Sequence, residues 1–102
     1  MSEVASLFVA VASVELHFPG ARSLKDKRQD LRSLLERLRH RFTVLVVESD
    51  HQDLHQRAGI AICAFATDAE AARGTVSRAL DHVHETFAGM VLDSHVTVEQ
   101  VR

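Results

Sequence analysis

Cationic side chains are concentrated in one stretch of this 102-residue chain, segment 22–41. The segment holds eight of the 12 Lys and Arg residues against three acidic ones, a formal charge of +5, while the remaining four basic and 11 acidic residues give −7. A local positive surface on an otherwise acidic protein can attract a polyanion. Because clustered Lys and Arg side chains bind phosphates, the first chemistry that these residues indicate is nucleic-acid binding.

A second group of polar residues could in principle do catalysis or bind a metal. Glu48, Asp50 and Asp53 lie in one short stretch together with His51 and His55. Proximity in sequence does not supply the geometry of a catalytic triad, and neither a glycine-rich phosphate loop nor a nucleophile elbow accompanies them. The two histidines could share a metal only in a helical connector, and no third ligand is evident. We therefore expect no enzyme, no metal site and no cofactor, and a solvated connector instead.

The elements that must position these residues follow from hydrophobic periodicity. Apolar residues alternate or are β-branched in strands, and recur at a spacing of three and four in helices. In chain order, the pattern predicts a strand over 7–17, a helix capped by Ser23 and ending near Arg41, strands over 43–48 and 59–67, a helix capped by Thr67, and a strand over 90–98. This order is that of an α+β ferredoxin-like βαββαβ sandwich, in which two helices cover one face of a four-stranded antiparallel sheet. We expect one such domain over residues 1–102.

A helical projection separates the cations of the first helix. At 100° per residue the leucines form a continuous arc that faces the core. Lys27 falls within this arc, so its ammonium must either reach solvent along the helix surface or pair with a carboxylate. Glu48, which ends an apolar strand, is the expected partner of Lys27 or Arg28, in a structural ion pair. The other cations of the arc's flank lie together: Lys25, Arg28, Arg32 and Arg39.

Apolar residues occupy both faces of the predicted sheet, although the helices cover only one. Such an uncovered apolar face predicts a homo-oligomer, most simply a dimer, and loops or tails that cover part of the face are the alternative. Cys63 lies in one of these apolar runs, and we expect it to be buried and inert. The residues expected on the uncovered face are Val9, Val11, Leu45, Val47, Cys63 and Phe65.

Composition and the start of the chain restrict the location and the mode of binding. The chain has no Trp or Tyr, so stacking on unpaired bases is not the expected mode of nucleic-acid binding. Residues 1–6 include Glu3 and no basic segment, and no apolar stretch is long enough to span a bilayer. We therefore expect a cytoplasmic protein without a membrane contact.

Two short motifs carry a resemblance to a known family. Segment 23–28 reads SLKDKR and segment 48–58 reads ESDHQDLHQRA. With the leucines between them, these motifs resemble the YlxP-like family, small bacterial proteins of unknown function, and the resemblance covers nearly the whole chain. It implies a ferredoxin-like fold and, more weakly, a link to translation, because members are often encoded beside genes for transcription-elongation, initiation and ribosome-binding factors. Thr43, Leu45 and His55 depart from the Asn, Ser and Trp that the family favours.

These observations predict a non-catalytic accessory protein that binds RNA or a ribosomal particle through the basic flank and connector 52–57. The alternative is a homo-oligomeric interaction module that uses the apolar face of the sheet. The expected nucleic-acid contacts are Arg22, Lys25, Lys27, Arg28, Arg32, Arg39, Gln56 and Arg57.

Overall fold

Six elements form in the order that the hydrophobic patterning predicts. A computed structural model describes residues 6–102. The prediction that the chain begins without a targeting segment rests partly on residues 1–5, which lie outside the described residues. The strands form one antiparallel sheet in the order β2-β3-β1-β4, and the predicted ferredoxin-like α+β fold is confirmed. The elements are β1 (Phe8–His17), α1 (Leu24–Arg41), β2 (Leu45–Asp50), β3 (Arg57–Ala66), α2 (Ala69–Thr86) and β4 (Met90–Gln100).

Helix α1 begins at the predicted cap. The Ser23 hydroxyl accepts a hydrogen bond from the Asp26 backbone N–H at 3.1 Å, and the Asp26 carboxylate accepts one from the Arg22 N–H at 3.0 Å. These bonds satisfy amide donors that have no partner within the helix. Because Leu34 and Leu38 on the same face are fully buried, the rotation of the helix is fixed, and with it the direction of each cation.

Helix α2 begins one residue later than predicted. Asp68, and not Thr67, is the N-cap, because its carboxylate accepts from the Ala71 N–H at 3.1 Å. The predicted capping box between Thr67 and Glu70 is therefore wrong, and the Glu70 carboxylate instead lies 3.8 Å from the Arg73 guanidinium. The buried face of the helix consists of Ala72, Val76, Ala79 and Val83.

The hairpin of β2 and β3 extends beyond the apolar residues from which the two strands were predicted. Strand β2 runs to Asp50, which pairs with Gly59 after an irregularity that follows Glu48. Strand β3 accordingly begins at Arg57, so the connector is limited to residues 51–56. The predicted bounds were wrong here because the hydrogen-bonded ladder continues through polar residues that carry no strand pattern.

A β-bulge shifts the faces of β4. Glu15 pairs with Asp93 while Leu16 pairs with Val91, so Leu92 is the additional residue. Leu92 is 45% exposed, whereas Val91 packs against the core. The bulge therefore places Val91, and not Leu92, on the side of the sheet that packs against the core.

The two faces of the sheet differ sharply in exposure. Alanine, valine, leucine and isoleucine side chains on the helix side are almost completely buried, whereas Leu45, Val47 and Phe65 on the other side are 57% to 66% exposed. Cys63 also lies on this open side and is only partly buried, contrary to the expected full burial. Burial still raises the pKa of its thiol, which disfavours the reactive thiolate. No helix within residues 6–102 is long and apolar enough to span a bilayer.

Candidate functional site

The two sequence motifs meet at the side chain of Lys27. Its ammonium donates to Glu48 Oε2 at 3.2 Å, to the His51 carbonyl at 2.8 Å and to the Arg57 carbonyl at 3.1 Å. These three bonds use every N–H of the ammonium. The predicted ion pair between Lys27 and Glu48 is thus present. Lys27 is fully buried, so its predicted contact with phosphate is wrong.

Lys27 fixes both ends of the connector. His51 follows β2 directly and Arg57 opens β3, so one ammonium holds the two backbone carbonyls that flank residues 52–56. A buried ammonium is tolerable only when its charge and all its donors are matched. Arg28 is not a second partner of Glu48, because its side chain is exposed and has no hydrogen bond or ion pair with any residue of 6–102.

Gln56 has a structural role in the same region. Its side-chain nitrogen Nε2 donates to the Ala21 carbonyl at 3.1 Å, and its backbone carbonyl accepts a hydrogen bond from the Phe18 N–H at 2.9 Å. These bonds join the connector to the turn between β1 and α1. The side chain of Gln56 is exposed, but its nitrogen already donates to the backbone, so its predicted contact with phosphate stays a prediction.

Beyond the Lys27 ammonium, a polar cluster lies on the open side of the sheet. The Arg57 guanidinium donates to Glu15 Oε2 at 2.8 Å, and His51 Nε2 lies 3.3 Å from the same oxygen and 3.7 Å from Asp50 Oδ2. His51 has a left-handed backbone with φ of 62°, which is uncommon for a residue other than glycine. Gly59 allows the close approach, because a Cβ there would lie 3.0 Å from the Asp50 Cβ. The Arg57 guanidinium therefore pairs with a carboxylate on the sheet, and it does not form a common basic surface with the cations of α1.

The cluster contains atoms that could hold a metal ion. Within residues 6–102, donor atoms of Glu15, Asp50 and His51 lie within 4.8 Å of one another. The Arg57 guanidinium already pairs with Glu15 and would compete with a cation there. Sequence reasoning missed Glu15, because only the pairing of Glu15 with Gly59 in the sheet brings it to this position.

Lys25, Arg28 and Arg32 are exposed on one flank of α1, and we call these three residues the basic stripe. Their side chains form no hydrogen bond or ion pair with the described part of the chain. At a rise of 1.5 Å per residue, they are separated along the helix axis by about 4.5 and 6 Å. Arg39 lies on the same flank, but its Nη2 donates to the Val46 carbonyl at 2.8 Å, so the stripe runs beside edge strand β2.

The opposite flank of α1 carries cations that face α2. Arg37 and Arg41 are close enough to His82 to lower its pKa, although burial of the imidazole is the larger cause and Glu85 opposes the shift. The His82 Nε2 atom is buried and has no hydrogen-bond partner among the described residues. The cations of α1 therefore divide into a buried lysine, a flank beside α2 and the exposed stripe.

Comparisons with known proteins identify a family and a fold. A family model described as "Protein of unknown function (DUF503)" matches residues 9–96, which include the basic stripe and the connector. No curated protein matches the chain. The solved structure of "De novo designed protein Foldit4" is similar at 14% identity and a TM-score of 0.51, covering 94% of this chain and 99% of that one. "De novo designed protein Ferredog-Diesel" is 12% identical with a TM-score of 0.45, covering 97% and 89%. At these identities the similarity to Foldit4 shows the fold alone.

Proposed function

We propose that this chain, which belongs to the DUF503 family of proteins of unknown function, is a non-catalytic accessory protein that binds structured RNA or the RNA of a ribosomal particle. The binding surface is the basic stripe of Lys25, Arg28 and Arg32. The cytoplasmic location and the YlxP-like assignment within the family are parts of the same proposal. The gene neighbourhood implied by the YlxP-like resemblance supports the choice of a partner in translation.

One observation carries this proposal: the cations of the stripe have no partner, whereas other cations nearby do. Lys27 and Arg57 are bound to carboxylates and carbonyls. Arg28 and Arg32, in contrast, are a like-charge pair at a spacing of four, which costs an isolated helix a few tenths of a kcal/mol. A polyanion that binds along the stripe would remove this repulsion.

The geometry of the stripe favours contacts with the phosphate backbone. Its cations are spaced so that one strand of nucleic acid lying along α1 could meet two or three of them. Double-stranded RNA is recognised mainly by its shape and by contacts to phosphate and 2′-OH groups, which do not require aromatic side chains. Arg22 and Arg39 extend the cationic flank beyond the two ends of the stripe, and the Arg39 guanidinium keeps further N–H donors besides the one that binds Val46.

Co-sedimentation with ribosomal subunits tests the proposal. We expect the native chain to sediment with subunits at low salt and to dissociate at moderate salt, because phosphate contacts release counterions. The double variant Arg28→Gln/Arg32→Gln should lose most of this association. A matched control is Arg73→Gln/Arg78→Gln, which removes the same charge from the exposed surface of α2 and should bind normally. Absence of the native chain from the particles at low salt would contradict the proposal.

A further inference from the structure

The two edges of the sheet differ in how they are protected. Strand β2 forms one edge and β4 the other. On the β2 edge, Arg39 Nη2 donates to the Val46 carbonyl at 2.8 Å, so a side chain of α1 already occupies a backbone acceptor there. Strand β4 has 11 residues and contains neither Lys nor Pro, the residues that most often block the edge of a sheet. The β4 edge is therefore the one at which a further strand can pair.

The backbone groups of β4 that point away from the sheet can be identified. The Val101 N–H, just beyond the strand, donates to the Leu7 carbonyl at 2.7 Å, so it points to the side on which β1 lies. These groups alternate in direction along an antiparallel strand, and the register between β4 and β1 is regular over residues 93–100. The outward N–H and C=O groups of this part of the strand therefore belong to Ser94, Val96, Val98 and Gln100.

The regular part of β4 begins after the bulge at Leu92. Segment 94–100 continues from there to the end of the strand without a further irregularity. Its side chains on the open side of the sheet, those of His95, Thr97 and Glu99, are exposed. Its two valines lie on the helix side and pack against the core. A strand that pairs with this segment therefore meets outward backbone groups along its whole length.

Segment 94–100 is complementary to a second copy of itself in backbone hydrogen bonds. When two copies pair antiparallel over the full segment, Thr97 lies opposite Thr97 at the centre. Ser94 then lies opposite Gln100, and Val96 lies opposite Val98. These four residues are the ones whose N–H and C=O groups point outward, so each opposite pair exchanges two backbone hydrogen bonds. The alignment therefore uses every outward backbone group of the segment.

The side chains of the segment are complementary in the same alignment. His95 of each copy lies opposite Glu99 of the other, in the non-hydrogen-bonded pairs whose side chains are closest. The two Thr97 residues face each other, and Thr–Thr is a favourable cross-strand pair. An alignment centred on Val96 would instead set Asp93 opposite Glu99 and bring two acids together, and one centred on His95 would extend into the bulge. Charge and the bulge therefore favour the alignment centred on Thr97.

We propose that two copies of this chain join their β4 edges by antiparallel pairing of segment 94–100. The two-fold axis passes between the two Thr97 residues and is perpendicular to the sheet, so the same surface is used on both copies. Two four-stranded sheets become one continuous sheet with all helices on one face. The basic stripes lie beside the β2 edges, at the outer margins of the dimer, so dimer formation and RNA binding use different residues. The contact predicted from the sequence, on the apolar open face, stays a prediction and is not used in this dimer.

Sedimentation velocity tests the edge pairing. We expect the native chain, with a monomer mass of 11.3 kDa, to form a dimer as its concentration rises through the micromolar range. Thr97→Lys should raise the dissociation constant by about tenfold or more, because it sets two like charges opposite each other at the axis. Val47→Lys is the matched control, since Val47 is 57% exposed on the same face but lies on β2. Arg28→Gln/Arg32→Gln should also leave the dimer intact, so failure of the dimer and failure of RNA binding can be distinguished.

Two outcomes of this experiment would overturn the proposal. One is a native chain that stays monomeric up to submillimolar concentration. The other is a Thr97→Lys variant, folded by circular dichroism, that dimerises as tightly as the native chain or is weakened no more than Val47→Lys. Equal weakening of the two variants would instead indicate a contact through the open face.

Cysteine cross-linking tests the alignment. In a Cys63→Ala background, Thr97→Cys should form an intermolecular disulfide with oxidised glutathione, because the Cα atoms of a non-hydrogen-bonded pair lie about 4.5 Å apart. His95→Cys is the control. In the proposed alignment His95 and the same residue of the other copy are separated by four positions, roughly 14 Å along the strands, which is too far for a disulfide. Cross-linking of His95→Cys as fast as that of Thr97→Cys would overturn the alignment.

Discussion

Lys27 and the basic stripe lie on the same turns of α1 but have opposite environments. Lys27 is buried and bound to three oxygen atoms, whereas Lys25 and Arg28 are exposed without a partner among residues 6–102. At 100° per residue, Lys27 points 200° away from Lys25 and 100° away from Arg28. The comparison shows that helical phase, and not the local density of charge, separates a structural cation from cations that remain available to a ligand.

Replacement of Lys27 by Met tests the structural side of this comparison most severely. Met keeps an apolar stem of similar length but leaves Glu48 and the carbonyls of His51 and Arg57 without their donor. We expect a loss of about 3 kcal/mol in the free energy of unfolding, measured by urea denaturation. A loss below about 1 kcal/mol would show that water readily replaces the ammonium.

Replacement of Glu48 by Gln separates charge from hydrogen bonding at the same site. Gln retains an acceptor for Lys27, but the buried ammonium loses its counter-charge. Because the Glu48 side chain is 22% exposed, we expect a smaller loss, about 2 kcal/mol in the same urea experiment. A loss as large as that of Lys27→Met would mean that the charge of Glu48, and not the carbonyl contacts, accounts for the role of Lys27.

The sequence predicts one half of this comparison well and the other half poorly. The leucine arc places Lys27 towards the core, and the acid at the end of an apolar strand identifies Glu48, because both signals are local. The two backbone carbonyls that bind the Lys27 ammonium belong to His51 and Arg57, at the ends of the connector. Their positions depend on where strands β2 and β3 stop pairing, and the pattern of apolar and polar side chains does not indicate that point. The pairing of Arg57 with Glu15 likewise depends on the register of β1 against β3.

The flank of α1 that faces α2 offers a third environment for comparison. The lowered pKa of His82 means that the folded state binds a proton less readily than the unfolded state, whose ordinary pKa is 6.5. The neutral imidazole is therefore favoured in the fold, and stability should be full above pH 6.5 and fall as pH drops below it. We expect His82→Phe to reduce this acid-dependent loss in urea midpoints measured across pH.

His84 provides the control for this pH effect. It lies on the same helix but is exposed, so His84→Gln should leave the pH dependence unchanged. Equal pH dependence in the native chain and in His82→Phe would contradict the assigned role of His82.

The smallest expected effect on stability belongs to the stripe itself. Arg28→Met makes the same kind of change as Lys27→Met one residue away, but it removes no contact with residues 6–102. We expect the free energy of unfolding to change by no more than about 0.5 kcal/mol. A loss comparable to that of Lys27→Met would place Arg28 among the structural cations and remove it from the candidate interface.

The salt dependence of RNA binding tests the central claim most directly. Fluorescence anisotropy with a structured RNA should give an association constant that falls linearly with salt on logarithmic axes, because each phosphate contact releases a counterion. If Arg28 and Arg32 make such contacts, Arg28→Gln/Arg32→Gln should reduce the magnitude of the slope by roughly two, while Arg73→Gln/Arg78→Gln leaves it unchanged. No binding by the native chain at low salt, or equal slopes for all three proteins, would contradict the assignment of the basic stripe as an RNA-binding surface.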